Sequence, residues 1–312
     1  MRLLALTSLF LPMASAHALE IRNYSSSRHD RFETDENGTR PTPGAYYVSS
    51  RYSGLGYATD VNDPRQYTLV TPQHVLFAKH FAPSTGTNIR FLNATGEEFT
   101  RTTISTADVP NGLGGVADVI IVKLDAPLPA DQGITPFPYL NLASESLYSN
   151  TVLTTFGHSH RAGRGLISWF SDFMEDGIDS TRTFTFIYDT DAGDQDDAYL
   201  VGGDSGSPSF ALVNNRPALV GLHLAADITA TTRINIDTFV PHYVDAINTL
   251  LAPEGYQLIP AYPDPVSLSA EIAIGQIRQG EPSTLQITVT NSSANTATNP
   301  RLNLVFPTEA IP

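Results

Sequence analysis

Short β-branched and aromatic runs recur along this chain, split by Gly, Pro, Asn and Asp. In the first half they fall at residues 66–70, 88–92, 99–105 and 119–124. A second set falls at residues 151–156, 165–170, 182–188, 209–212, 218–224 and 233–236. Many short strands at such spacing predict an all-β barrel or sandwich architecture, here in two halves. Residues 243–251 predict one helix: Val244, Ile247, Leu250 and Leu251 recur at helical spacing, and Pro253 stops it. Residues 256–265 read as a proline-bearing linker. Beyond it, residues 266–274, 283–289 and 302–306 alternate like strands around the polar stretch 291–299.

Residues 1–18 have the make-up of an export leader. Arg2 supplies the positive start, Leu3 to Met13 the apolar segment, and Ala14-Ser15-Ala16 or Ala16-His17-Ala18 the small-residue cleavage site. The apolar run is too short to span a membrane, and no other segment is long and apolar enough. Residues 19–44 are polar and predict an extended N-terminal arm. The 312 residues carry 18 Lys+Arg against 32 Asp+Glu, a net charge of −14. That balance disfavours nucleic acid and anionic membranes as partners.

The candidate chemistry centres on Gly203-Asp204-Ser205-Gly206-Ser207-Pro208. A serine between glycines sits on a tight turn whose outward N–H groups can hold an oxyanion. Its hydroxyl needs a base, and the base needs an orienting acid. His80 ends the run Val75-Leu76-Phe77-Ala78-Lys79-His80, and Asp118 opens the apolar strand Val119-Ile120-Ile121-Val122. His74 competes as the base, but reads as the cap of a surface turn after Pro72. Asp108 and Asp125 compete as the acid, but lie beside proline-containing loop sequence. The chain order His80, Asp118, Ser205 differs from that of subtilisins and α/β-hydrolases.

Three motifs in this order resemble the trypsin/chymotrypsin-like serine endopeptidases. Val75 to Phe81 is similar to the family's V-L-T-A-A-H-C, Ala117 to Leu124 to its D-I-A-L-L-K-L, and Gly203 to Pro208 to G-D-S-G-G-P. The likeness covers residues 45–255. It implies two antiparallel β-barrels of the chymotrypsin type with a C-terminal helix. It also implies a secreted or periplasmic endopeptidase acting on polypeptides through His80, Asp118 and Ser205, without a cofactor. Gly203 and Ser205 would supply the oxyanion-hole N–H groups. Asp204 matches a structural aspartate that the family pairs with a freed N-terminal amine, yet no Ile-Val-Gly-Gly activation site follows an Arg or Lys. Residues 266–312 resemble part of a bacterial immunoglobulin-like surface repeat, a short sandwich-like segment. The lack of cysteine departs from the disulfide-rich animal members and suggests a bacterial source. In such a host the sequons at Asn23, Asn37, Asn93 and Asn291 carry no meaning.

For substrate binding, the likeness places Tyr199 at the base of the primary pocket, where a trypsin-like aspartate is absent. Leu224, Ala225 and Ala226 would pair with substrate as an added strand. His223 resembles the histidine of glutamyl endopeptidases, which contacts an acidic substrate side chain. The competing reading is a packed histidine, and the residues alone leave both open. Residues 189–197 are rich in Asp, with Asp189, Asp191 and Asp194 as potential calcium ligands. The glycine spacing is not that of an EF-hand, so a solvated loop and no metal are expected. Two rival functions remain. One is a non-catalytic surface or adhesion protein on the same fold. The other is a lipase or esterase, which Ser207 in place of glycine and the lack of alternating helices disfavour.

Overall fold

Strands buried on both faces explain the near-continuous apolar runs. Along the strand after Asp118, Ile120 and Val122 point into one core while Val119 and Ile121 point into another. The structure, a computed structural model, describes residues 19–35, 38–41, 51–60, 63, 65–175, 177–188, 196–227, 233–263, 268–274 and 285–291.

The N-terminal segment holds β1 (Glu20–Ile21), a one-turn helix α1 (Ser26–His29) and a hairpin of β2 (Phe32–Asp35) and β3 (Gly38–Pro41). Next come β4 (Leu55–Ala58), β5 (Gln66–Thr71), β6 (His74–Phe77), β7 (Asn88–Leu92), β8 (Glu98–Pro110) and β9 (Val116–Leu124). These six close into an antiparallel barrel in the order β4-β5-β6-β9-β8-β7. Tyr67, Leu69, Val75, Phe77, Phe91, Ile120 and Val122 fill it.

After β10 (Tyr139–Leu140) follow β11 (Val152–Gly157), β12 (Arg161–Glu175), β13 (Ile178–Tyr188), β14 (Ala198–Tyr199), β15 (Pro208–Val213), β16 (Arg216–Asp227) and β17 (Arg233–Phe239). The order β15-β11-β12-β13-β17-β16, closed by a β15–β16 pairing, is a second six-stranded antiparallel barrel. Leu153, Ile167, Phe184, Phe186 and Val220 lie in its core. A third cluster joins the barrels through Leu76, Ile121, Phe156 and Phe210. It also receives Val244, Ile247 and Leu251 of helix α2 (Val244–Leu251). Each such buried aliphatic or aromatic side chain contributes about 1.5–3 kcal/mol relative to exposure.

The chain divides into two compact units, Met1–Tyr262 and Pro263–Pro312. The first ends after β18 (Pro260–Ala261), which pairs with β10. Of the second, one antiparallel pair is described, β19 (Leu268–Ile274) with β20 (Leu285–Asn291). The expected strand at 302–306 and the leader at 1–18 lie outside the described residues.

Two expectations change. The N-terminal arm is not simply extended: α1 folds within it, and Leu19, His29 and Arg31 are buried. The Arg31 guanidinium donates to Gln66 Oε1 and to the Leu55 carbonyl, 3.1 Å away, anchoring the arm to the first barrel. Strand β12 also extends beyond the expected 165–170 at both ends, and β13 starts four residues before the expected 182–188. Their outer halves are largely solvent-facing, with Trp169 and Met174 exposed, so no inward apolar pattern marks them.

Candidate active site

His80 stands on a single 3-10 turn, Lys79–Phe81, directly after strand β6. Its backbone N–H donates to Asp118 Oδ1 and its ring Nδ1 bonds Asp118 Oδ2, both at 2.7 Å. An accepting carboxylate requires Nδ1 to carry the proton, which leaves the Nε2 lone pair facing Ser205 Oγ at 2.8 Å. The Asp118 side chain is 1 % exposed and that of His80 25 %, so the carboxylate is sealed while the imidazole meets solvent.

The Ser205 turn is built from its own sequence. Gly203 (φ 103°) and Gly206 (φ 79°) take left-handed conformations that a side chain would resist. The Asp204 N–H donates to the Val201 carbonyl (3.1 Å) and the Ser207 N–H to the Asp204 carbonyl (3.0 Å). The Gly206 N–H reaches the His223 carbonyl at 2.9 Å, which ties the turn to β16. The N–H groups of Gly203 and Ser205 donate to no acceptor among the described residues.

Asp204 is buried beneath this turn. Its Oδ1 accepts from the His158 N–H at 2.5 Å and its Oδ2 from the Val201 N–H at 2.7 Å. Burial pushes its carboxyl up to about 6, against the pull of those bonds and of His223. Leu19, fully buried, and Asp204 both crowd Gly157: a Cβ on that glycine would lie 2.6 Å from Asp204 Oδ1 and 2.7 Å from Leu19 Cβ.

The rival site residues have other partners. His74 bonds Thr71 Oγ1 at 2.8 Å and lies 3.5 Å from Glu254, with its basicity lowered by burial. Asp108 pairs with Lys79 at 2.6 Å, and Asp125 accepts from the Thr102 N–H at 3.1 Å.

The specificity residues divide. Strand β16 pairs with β15 only as far as Leu222, while its β17 ladder continues to Asp227. Among the described residues, one edge of Leu224, Ala225 and Ala226 is therefore open to an added strand. Tyr199 is buried in β14, paired to Glu20 of β1, with its ring against Tyr188 and the Arg233 guanidinium. His223 corrects the acid-binding expectation. Its Nδ1 bonds Asp237 Oδ1 at 2.7 Å and its Nε2 the Phe156 carbonyl at 2.6 Å. Two acceptors require both ring nitrogens to donate. Burial opposes that charge, but Asp237, Asp204 and the Phe156 carbonyl together outweigh it and raise the histidine. No donor on this ring remains for a substrate carboxylate.

Asn235 carries no signal in the chemistry-bearing motifs, yet it clamps the segment before the serine turn. Its Oδ1 accepts from the Leu200 N–H at 2.8 Å and its Nδ2 donates to the Ala198 carbonyl at 3.0 Å. Asp189, Asp191 and Asp194 lie outside the described residues, and no acidic or histidine group among the described residues is arranged to hold a metal ion. No helix among the described residues is long and apolar enough to cross a membrane. No family model matches the chain, and no curated protein matches it.

Proposed function

We propose that this chain is a serine endopeptidase, and that the leader at 1–18 directs it out of the cytoplasm. The observation that carries the reading is the unbroken relay of hydrogen bonds from Asp118 through His80 to Ser205. In this reading Ser205 Oγ attacks a peptide carbonyl while His80 Nε2 takes its proton. The developing oxyanion receives the Gly203 and Ser205 N–H groups. His80 then returns the proton to the leaving amine, and the acyl enzyme is hydrolysed by water along the same route. Asp118 holds the ring in the tautomer that this cycle needs. The free edge at Leu224 to Ala226 supports an extended polypeptide as substrate.

The test is labelling of the purified protein with a fluorophosphonate, alongside casein hydrolysis. Wild type should label and cleave, and Ser205→Ala should do neither. An unlabelled, inactive wild type would leave the non-catalytic surface-protein reading in its place.

A further inference from the structure

Asp118 belongs to the first barrel, yet its main chain is held by the second. Its N–H donates to Thr181 Oγ1 at 3.0 Å, and its carbonyl accepts from Thr238 Oγ1 at 3.1 Å. Thr181 lies in β13 and Thr238 in β17, neighbouring strands of the second barrel, and both are fully buried. The single proton of the Thr181 hydroxyl goes to the Asp179 carbonyl at 2.9 Å, which directs an oxygen lone pair at Asp118 N–H.

The first barrel leaves these peptide groups available. The β6–β9 ladder ends at the Phe77–Ile120 pair, and the β8–β9 ladder shifts register between its pairs at Asp108 and Pro110. Asp118 lies within that lapse. The grip extends along the chain toward the turn before it. The Val116 N–H donates to Asp179 Oδ2 at 3.0 Å, and Asn111 Nδ2 to the Ser180 carbonyl at 3.1 Å. Gly115 admits the approach, since a Cβ there would lie 2.5 Å from the Asp179 carboxylate. The Asp118 carboxylate itself accepts only from His80 among the described residues. Its aim is therefore set through its backbone.

We propose that Thr181 and Thr238 are positioning residues, a clasp of two hydroxyls that fixes Asp118, and through it His80, to the barrel that carries Ser205. The proposal rests on the peptidase reading above. Without the clasp, sliding of one barrel on the other lengthens the His80–Ser205 contact. With it, the anchor of the acid and base moves with the nucleophile. A misplacement of about 1 Å at such a site lowers rates by about 100-fold.

The experiment compares Thr181→Val and Thr238→Val, which keep shape and remove the hydroxyl, with Thr181→Ser and Thr238→Ser, which restore it. Turnover of a peptide amide is measured per titrated active site, together with the fluorophosphonate labelling rate and the melting temperature. Each valine variant should lower kcat and the labelling rate by about 10- to 100-fold with KM within about twofold. The serine variants should recover most of that loss. A fold-maintenance role would lower the melting temperature and the titratable fraction but leave turnover per active site unchanged, and that result overturns the clasp. If a valine variant does not fold, Thr→Ala at the same position removes the hydroxyl without adding an apolar contact, and the same comparison decides. An inert wild type would instead sink the peptidase reading, and the clasp with it.

Discussion

Phe77 and Gly206 meet across the two barrels: a Cβ on Gly206 would lie 2.5 Å from the Phe77 ring. Phe77 ends the strand that delivers His80, and Gly206 follows Ser205, so this contact sets how closely His80 and Ser205 approach. Gly206→Ala combines that clash with φ 79°. It should destabilise the fold by about 1–3 kcal/mol and depress labelling of Ser205 well beyond the loss of folded protein. Thermal unfolding and labelling per folded molecule check both halves. A variant of normal rate would sever the link between this contact and the site.

Asp204 predicts a pH dependence of stability. Burial raises its carboxyl from an ordinary 3.8 to about 6, so the folded chain holds a proton that the unfolded chain releases. The associated stability is complete below the unfolded value and is lost as pH rises through the folded one, about 3 kcal/mol across that window. Asp204→Asn should remove this slope. Urea midpoints of wild type and variant, measured on the leader-bearing chain at pH 4 and pH 7, should differ by pH-dependent amounts, with wild type relatively weaker at pH 7. Parallel curves would contradict the assignment.

Removal of the leader should change that slope. Cleavage after Ala18 would place a new α-ammonium on Leu19, which crowds Gly157 as Asp204 Oδ1 does. A positive charge there pulls the carboxyl down again. On the export proposed above, N-terminal sequencing of the processed protein should read Leu-Glu-Ile-Arg, and that form should lose less stability between pH 4 and pH 7 than the leader-bearing chain. Cleavage after Ala16 instead, or equal slopes, would contradict it.

Cleavage-site profiling on a denatured protein mixture should show no enrichment of Glu or Asp before the cut, because both His223 nitrogens are bonded inside the protein. The His223–Asp237 pair should matter for stability instead. Asp237→Asn leaves a buried imidazolium without its counter-ion, a loss of about 3–5 kcal/mol by denaturant unfolding. Acidic enrichment, abolished by His223→Gln, would restore the substrate-binding role.

The barrels were legible because strand burial on two faces leaves long apolar runs, as at Val119 to Val122. His80, Asp118 and Ser205 were legible because each sits in a short local motif. Other features left no such trace. Strand β17 inverts the usual alternation: Asn235 and Asp237 are fully buried, while Ile234 and Ile236 are only partly so. Periodicity alone assigns those side chains to the wrong faces. Thr181 and Thr238 read as ordinary strand formers, since their hydroxyl partners come from a distant part of the chain. The docking of the N-terminal arm was hidden for the same reason, because its polar residues find their partners across the fold.

The pairing of Glu20 with Tyr199 has a consequence for the order of synthesis. These residues lie 179 positions apart, so β1 has no partner until β14, well into the second-barrel stretch, has been made. Such non-local closure is slow. The segment leading to Ser205 thus acquires its neighbour late in assembly, and on the peptidase reading proposed above a chain still emerging from the ribosome has not completed its site.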